Sequence, residues 1–103
     1  MQKKKVTKFE IVDSVYEKLD CEKKTVQRVV DAFLEELKNS LKDASTIELR
    51  GFGTFEIRTR KGRSVARNPK NGELVSVPPH NVVAFRAGRE LKSCVWNLST
   101  DGE

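Results

Sequence analysis

Six cations and no anion fall between positions 58 and 70: Arg58, Arg60, Lys61, Arg63, Arg67 and Lys70. Alternating apolar residues lead into this run from Arg50-Gly51-Phe52-Gly53-Thr54-Phe55, and Pro69 followed by Asn71-Gly72 stands near its far end. Lysine and arginine at such density neutralise phosphates and displace their condensed counterions. The segment holds too few apolar residues to pack a core of its own. A positive ribbon with a turn at its tip therefore predicts a grip on a polyanion.

The chain has 103 residues, one domain by length, with a net charge of +5. The charge is uneven. Residues 1–50 hold eleven Lys/Arg against ten Asp/Glu, whereas 51–86 hold seven cations against Glu56 and Glu73. Such asymmetry marks a binding face better than a uniformly solvated surface.

Catalytic chemistry has little support. The sole histidine, His80, stands beside Pro78-Pro79 with no carboxylate motif or cysteine near it, and reads as a solvated loop residue. Cys21 and Cys94 lack metal-ligand spacing and read as two small, reduced, buried or semi-buried residues. The acidic residues lie mainly on predicted helices beside lysines. A metal-dependent nuclease is the enzymatic alternative. An RNA-binding protein is the closest rival, but the stretch from Arg58 to Val83 contains no Phe, Tyr or Trp on which bases could stack. A pure dimerisation module would leave the cationic ribbon without a task. No apolar segment follows the basic start, so no secretory signal is expected, and no run approaches membrane-spanning length.

The elements that must position the ribbon follow from periodicity. Thr7 with Glu10 has capping-box spacing and opens a helix predicted over about 8–19, with Ile11, Val12, Val15, Tyr16 and Leu19 on one face. A second helix is predicted over 23–42, its stripe Val26, Val29, Val30, Phe33, Leu34, Leu37 and Leu41. From Thr46 the period becomes two. A strand, a tight turn at Phe52 and a second strand carrying Phe55 and Ile57 lead into the ribbon. Leu74–Val77 begins the return, Pro78-Pro79 breaks it, and Val82, Val83 and Phe85 resume it. A last helix is predicted from Arg89 to about Trp96, and 97–103 reads as a disordered tail. The helical body is small for a monomer, and Phe33, Phe52, Phe55 and Phe85 exceed its needs. A homodimer with a shared phenylalanine-rich core is the economical solution, and a monomeric core filled by these rings is the alternative.

These residues resemble the bacterial HU and integration host factor family of histone-like DNA-binding proteins. The resemblance runs from about Thr7 to Val95. It is carried by Gly51-Phe52-Gly53-Thr54-Phe55, by Arg67-Asn68-Pro69-Lys70-Asn71-Gly72 and by Phe85-Arg86-Ala87-Gly88-Arg89. It implies an α+β fold: a helical hairpin, a short antiparallel sheet with an extended β-arm over about 58–83, and a C-terminal helix, within one domain over 1–96, intertwined as a homodimer. Phe33, Phe52, Phe55 and Phe85 would form the dimer core. The implied function is architectural: binding double-stranded DNA in the minor groove through the arms, largely without sequence preference, and bending it by intercalation of Pro69, so as to organise the nucleoid in the bacterial cytoplasm. The implied DNA-binding residues are Arg58, Arg60, Lys61, Arg63, Arg67, Asn68, Pro69 and Lys70 on the arm, with Lys5, Lys8, Arg50, Arg86, Arg89 and Lys92 on the body. The implied partners are duplex DNA and a second copy, or a paralogue in a heterodimer, with no membrane, small-molecule substrate, cofactor or metal.

The chain departs from that family's usual pattern in three places. The arm stretch Arg63–Arg67 is one residue longer, with Ala66 in place of the usual glycine. A β-bulge accommodates such an insertion and reverses the facing of alternate residues, which leaves open which of Lys61, Arg63 and Val65 face DNA. Pro78-Pro79 replaces small strand residues. Trp96 and the tail extend past the usual end, and Trp96 is expected to cap the body rather than to touch DNA.

Overall fold

The structure, a computed structural model, describes residues 4–67 and 69–100. Helix α1 spans Lys8–Lys18. Thr7 Oγ1 accepts the Glu10 backbone N–H while Glu10 Oε1 accepts that of Thr7, so the capping box forms in full. The helix stops one residue short of the predicted Leu19, which is its C-cap. Helix α2 runs over Lys23–Lys42 as its apolar period predicts. The two pack side by side, and ion pairs cross the hairpin in both directions: Lys8 Nζ lies 2.8 Å from Asp31 Oδ1, and Lys23 pairs with Asp13. The Lys23 ammonium also stands 5.0 Å from the centre of the Phe9 ring.

The chain then folds into strands β1 (Ile47–Leu49), β2 (Gly53–Arg60), β3 (Arg63–Arg67), β4 (Leu74–Val77) and β5 (His80–Ala87), and ends in helix α3 (Arg89–Val95). A three-stranded antiparallel sheet has the order β1-β2-β5, and β3 with β4 forms a separate two-stranded ribbon. Phe55 lies opposite Phe85 and Ile57 opposite Val83. Ile47 and Leu49 share that apolar row through their pairing with Phe55 and Gly53. Gly53 is required at its position because a Cβ there would fall 2.6 Å from the Phe85 ring and 2.5 Å from the Arg86 carbonyl oxygen. The absent side chain lets the Phe85 ring lie over the strand, 5.4 Å from Phe52 and 4.8 Å from Phe55 between ring centres.

One chain does not close its own core. Among the described residues only Val12 and Val26 are buried apolar side chains. The α2 stripe divides: Val26, Val30, Leu37 and Leu41 are covered to some degree, while Val29, Phe33 and Leu34 stay exposed. With Ile11 and Phe52, these three line one open apolar groove. The accessible surface is 9385 Å², whereas a compact monomer of this length exposes roughly 5,900 Å². The radius of gyration is 18.8 Å, against about 13 Å for a compact chain of similar length.

Three expectations fail within the single chain. Cys21, in the connection between α1 and α2, and Cys94, in α3, are both free and exposed. Trp96 is 80% exposed and does not cap its own body. His80 is the first residue of β5 rather than a loop residue. It remains exposed, with Nδ1 3.0 Å from the Pro78 carbonyl oxygen.

Candidate nucleic-acid interface

Sheet and ribbon are one device. Throughout the β2–β5 pairing, partner numbers keep a constant register from Gly53 opposite Ala87 to Arg60 opposite His80. Arg63 opposite Val77 continues that same register, so β3 and β4 prolong β2 and β5 without slippage. Only the ladder lapses between them, at Lys61-Gly62 facing Pro78-Pro79. The prolines have no N–H to donate. A Cβ on Gly62 would fall 2.3 Å from the Val77 carbonyl oxygen and 2.6 Å from the Pro79 nitrogen, so only glycine fits against this backbone.

Beyond the joint, Ala66 pairs with Val75 and Arg67 with Leu74. The register has shifted by one residue between Arg63 and Ala66, which is the bulge that the longer arm predicts. The connection over 68–73 is longer than a two-residue hairpin turn. Within it Asn71 Oδ1 accepts the Glu73 backbone N–H at 2.9 Å, the local bond that suits asparagine to turns. Pro69 is exposed in this connection, while Asn68 lies outside the described residues.

The unbroken register decides which cations share a face. Arg58 and Arg60 lie in the row of Glu56, opposite the apolar row, and Arg86 joins them through its pairing beside Thr54. Lys61 and Arg63 precede the bulge and continue the other row, that of Phe55, Ile57 and Thr59. Thr59 marks this row by donating its hydroxyl to Asn81 Oδ1 at 2.8 Å. The continuous hairpin of β2 and β5 prolonged by β3 and β4 thus carries cations on both of its faces. Arg60, Lys61, Arg63 and Lys70 are all exposed.

Not every predicted cation is free. Glu56 accepts from Arg58 Nε at 2.7 Å and from Arg86 Nη2 at 3.3 Å. Its side chain is only 21% exposed. The hydrogen bond from Arg58 holds the Glu56 carboxyl below the usual carboxylate range. Burial opposes this, and the nearby charges of Arg86 and Arg58 reinforce it. Sequence reasoning missed this clamp: Arg58 is two residues along the same strand, but Arg86 arrives diagonally only once the register is known. Lys8 is likewise tied to Asp31. Arg50 lies exposed between β1 and β2, Lys5 is exposed ahead of α1, and Arg89 and Lys92 line one outer groove of α3. Arg67 is placed by its backbone in β3.

Among the described residues no group of three His, Cys, Asp or Glu side chains could hold a metal ion, and no helix is long and apolar enough to cross a membrane. The exposed cations of the arm are suited to charge neutralisation along a polyanion.

Residues 6–95 match the family model described as bacterial DNA-binding protein. The chain is 40% identical over 95 residues to the integration host factor subunit alpha of Mannheimia haemolytica, covering 92% of this chain and 95% of that protein. It is 42% identical over 95 residues to the DNA-binding protein HU of Treponema pallidum, covering 92% and 90%. Among solved structures, HU from Anabaena, crystallised with DNA, matches with a TM-score of 0.81 at 38% identity, over 89% of this chain and 99% of that one.

Proposed function

The chain belongs to the bacterial DNA-binding family of HU and integration host factor, a family of non-enzymatic architectural proteins, and on that premise we propose that two copies join through their phenylalanine faces and clasp duplex DNA between their arms. The hairpin with cations on both faces carries this reading. A β-ribbon lying in the minor groove has a phosphate wall on either side, and cations confined to one face would serve only one wall. Lys61 and Arg63 reach one wall while Arg58 and Arg60 reach the other. The groove offers a degenerate pattern of acceptors, so these contacts position the protein with little reading of sequence.

Dimerisation is supported by the open apolar groove of Ile11, Val29, Phe33, Leu34 and Phe52, which a second copy would cover. An identical chain is the simplest partner, and a paralogue is the alternative. Arg67 and Asn68 immediately precede Pro69 in sequence and are the proposed groove contacts beside it. Pro69 is rigid and apolar and has no N–H to desolvate, so it suits a wedge between base pairs. Unstacking costs about a few kcal/mol per step, the general figure for wedge-inserting minor-groove proteins, this family among them. Bending a site by 40–90° costs roughly 1–6 kcal/mol more. Flanking DNA brought against Arg50, Arg86, Arg89, Lys92, Lys8 and Lys5 offsets both. The physiological setting is the bacterial nucleoid.

Pro69→Ala tests the wedge. The variant should bend DNA less, by ligase-mediated circularisation, while retaining most of its affinity at low salt. An unchanged bend would remove Pro69 from the mechanism.

A further inference from the structure

Trp96 is the only tryptophan of the chain, and its indole is 80% exposed. With Arg89, Lys92, Ser93 and Asn97 it lines a shallow groove on the outer side of α3. These positions recur at helical spacing and form one continuous face. Leu91, the half-covered residue of the helix, lies on the opposite side, so α3 docks by Leu91 and turns Trp96 away from its own body. Glu90, the only acid of α3, does not line the groove. Its carboxylate instead lies near the turn between β1 and β2, with Oε2 3.5 Å from where a Cβ on Gly51 would stand. Among the described residues the groove is therefore bordered by two cations, an indole and small polar side chains, with no anion. The indole N–H has no hydrogen-bond partner among the described residues.

We propose that this α3 face is a second contact with duplex DNA, in which Trp96 lies against the sugar–phosphate backbone flanking the segment gripped by the arms. The proposal rests on the reading that the protein binds and bends DNA, and adds to it an aromatic side chain that the arm mechanism does not use. Three observations favour a nucleic-acid backbone over an apolar protein surface. The flanking charges are both positive. The groove is open, and the indole is its one large apolar side chain. The cations Arg86, Arg89 and Lys92 recur every three residues from the open face of the sheet onto the helix. An indole can donate its N–H to a phosphate oxygen while its ring packs on deoxyribose, and Arg89 and Lys92 neutralise the adjacent phosphates. Each dimer would carry two such contacts, one beyond each arm.

The sole tryptophan reports on its own contact. The full-length protein is titrated with the shortest duplex that the arms still bend, and with the same duplex extended by about 10 base pairs, one helical turn, at each end. Emission and acrylamide quenching are followed alongside DNA anisotropy. Free protein should show a water-exposed indole that the extended duplex shields and the short duplex does not. Trp96→Ala should weaken binding to the extended duplex by roughly three- to tenfold and leave the short one unaffected. Duplex binding with unchanged Trp96 emission and quenching would overturn the α3 contact and leave the arm mechanism standing. An indole already shielded in the free protein would overturn it too, assigning Trp96 to subunit packing. Shielding by anionic vesicles but not by duplex would do the same. Failure to bind either duplex would bring down the DNA-bending reading itself.

Discussion

Glu56→Gln is the most discriminating substitution on the sheet face. In the native chain one carboxylate engages two of the cations proposed to meet phosphate, Arg58 at 2.7 Å and Arg86 at 3.3 Å. DNA binding must exchange those ion pairs for phosphate contacts. The amide keeps the side-chain shape but removes one negative charge per subunit, two per dimer. Each additional cation available to phosphate steepens the logarithmic salt dependence by about 0.9. If one net contact is gained per subunit, the dimer's slope steepens by about 1.8. Glu56→Gln should then bind more tightly than wild type at 50 mM salt, and roughly a tenfold share of that advantage should vanish by 200 mM. Fluorescence anisotropy on a random-sequence duplex across this range measures both slopes. Superimposable plots would refute the argument, showing that neither Arg58 nor Arg86 reaches the backbone. Acid should mimic the substitution. The folded carboxyl is held below the ordinary glutamate value of 4.5, so the clamp and whatever stability it lends are intact above that value and are lost as pH falls through the lower, folded one. Between neutrality and pH 5 the wild-type slope should therefore not respond to Glu56.

Three further outcomes follow. Phe33→Glu puts a charge into a groove that is half exposed in one chain. It should leave the helices intact by circular dichroism but convert a dimer to monomers by sedimentation equilibrium, and a persistent dimer would place the interface elsewhere. Gly62→Val forces a side chain into the backbone of Val77, Pro78 and Pro79; it should impair DNA bending while shifting the thermal midpoint of the body by less than a few degrees, and wild-type bending would show that the joint is not strictly built. Thr7→Ala removes the hydroxyl that accepts the Glu10 N–H and should cost about 1 kcal/mol in urea unfolding.

Local physics made the body legible. The Thr7–Glu10 box and the apolar period predict α1 and α2 almost to the residue, since both signals act within a few positions. Alternation predicts β2, and the two glycines mark the turn and the close approach of Phe85. The extra residue of the arm does emerge as a register shift before Ala66. What escaped the sequence depends on distant partners. Arg58 and Arg86 look like free cations until β5 pairs with β2 and delivers both to Glu56. Lys8 looks equally available until the helical hairpin sets Asp31 beside it. The sequence assigns Trp96 to the body rather than to DNA, yet Leu91 is the half-covered residue of α3 and the indole stays outside. Their spacing and residue type put the cysteines inside, but among the described residues Val12 and Val26 are the only buried apolar side chains, so a single subunit has little inside to offer.

The crease at Lys61-Gly62 and Pro78-Pro79 interrupts the ladder but not the count. A hairpin that could slide along itself would present a different residue at its apex after each excursion. Here the two edges resume in step on the far side, and the bulge further out pins them again. Were the outer half to swing about this crease, its direction would change while the same proline stayed at the leading point, as a wrist reorients a hand without shuffling the fingers.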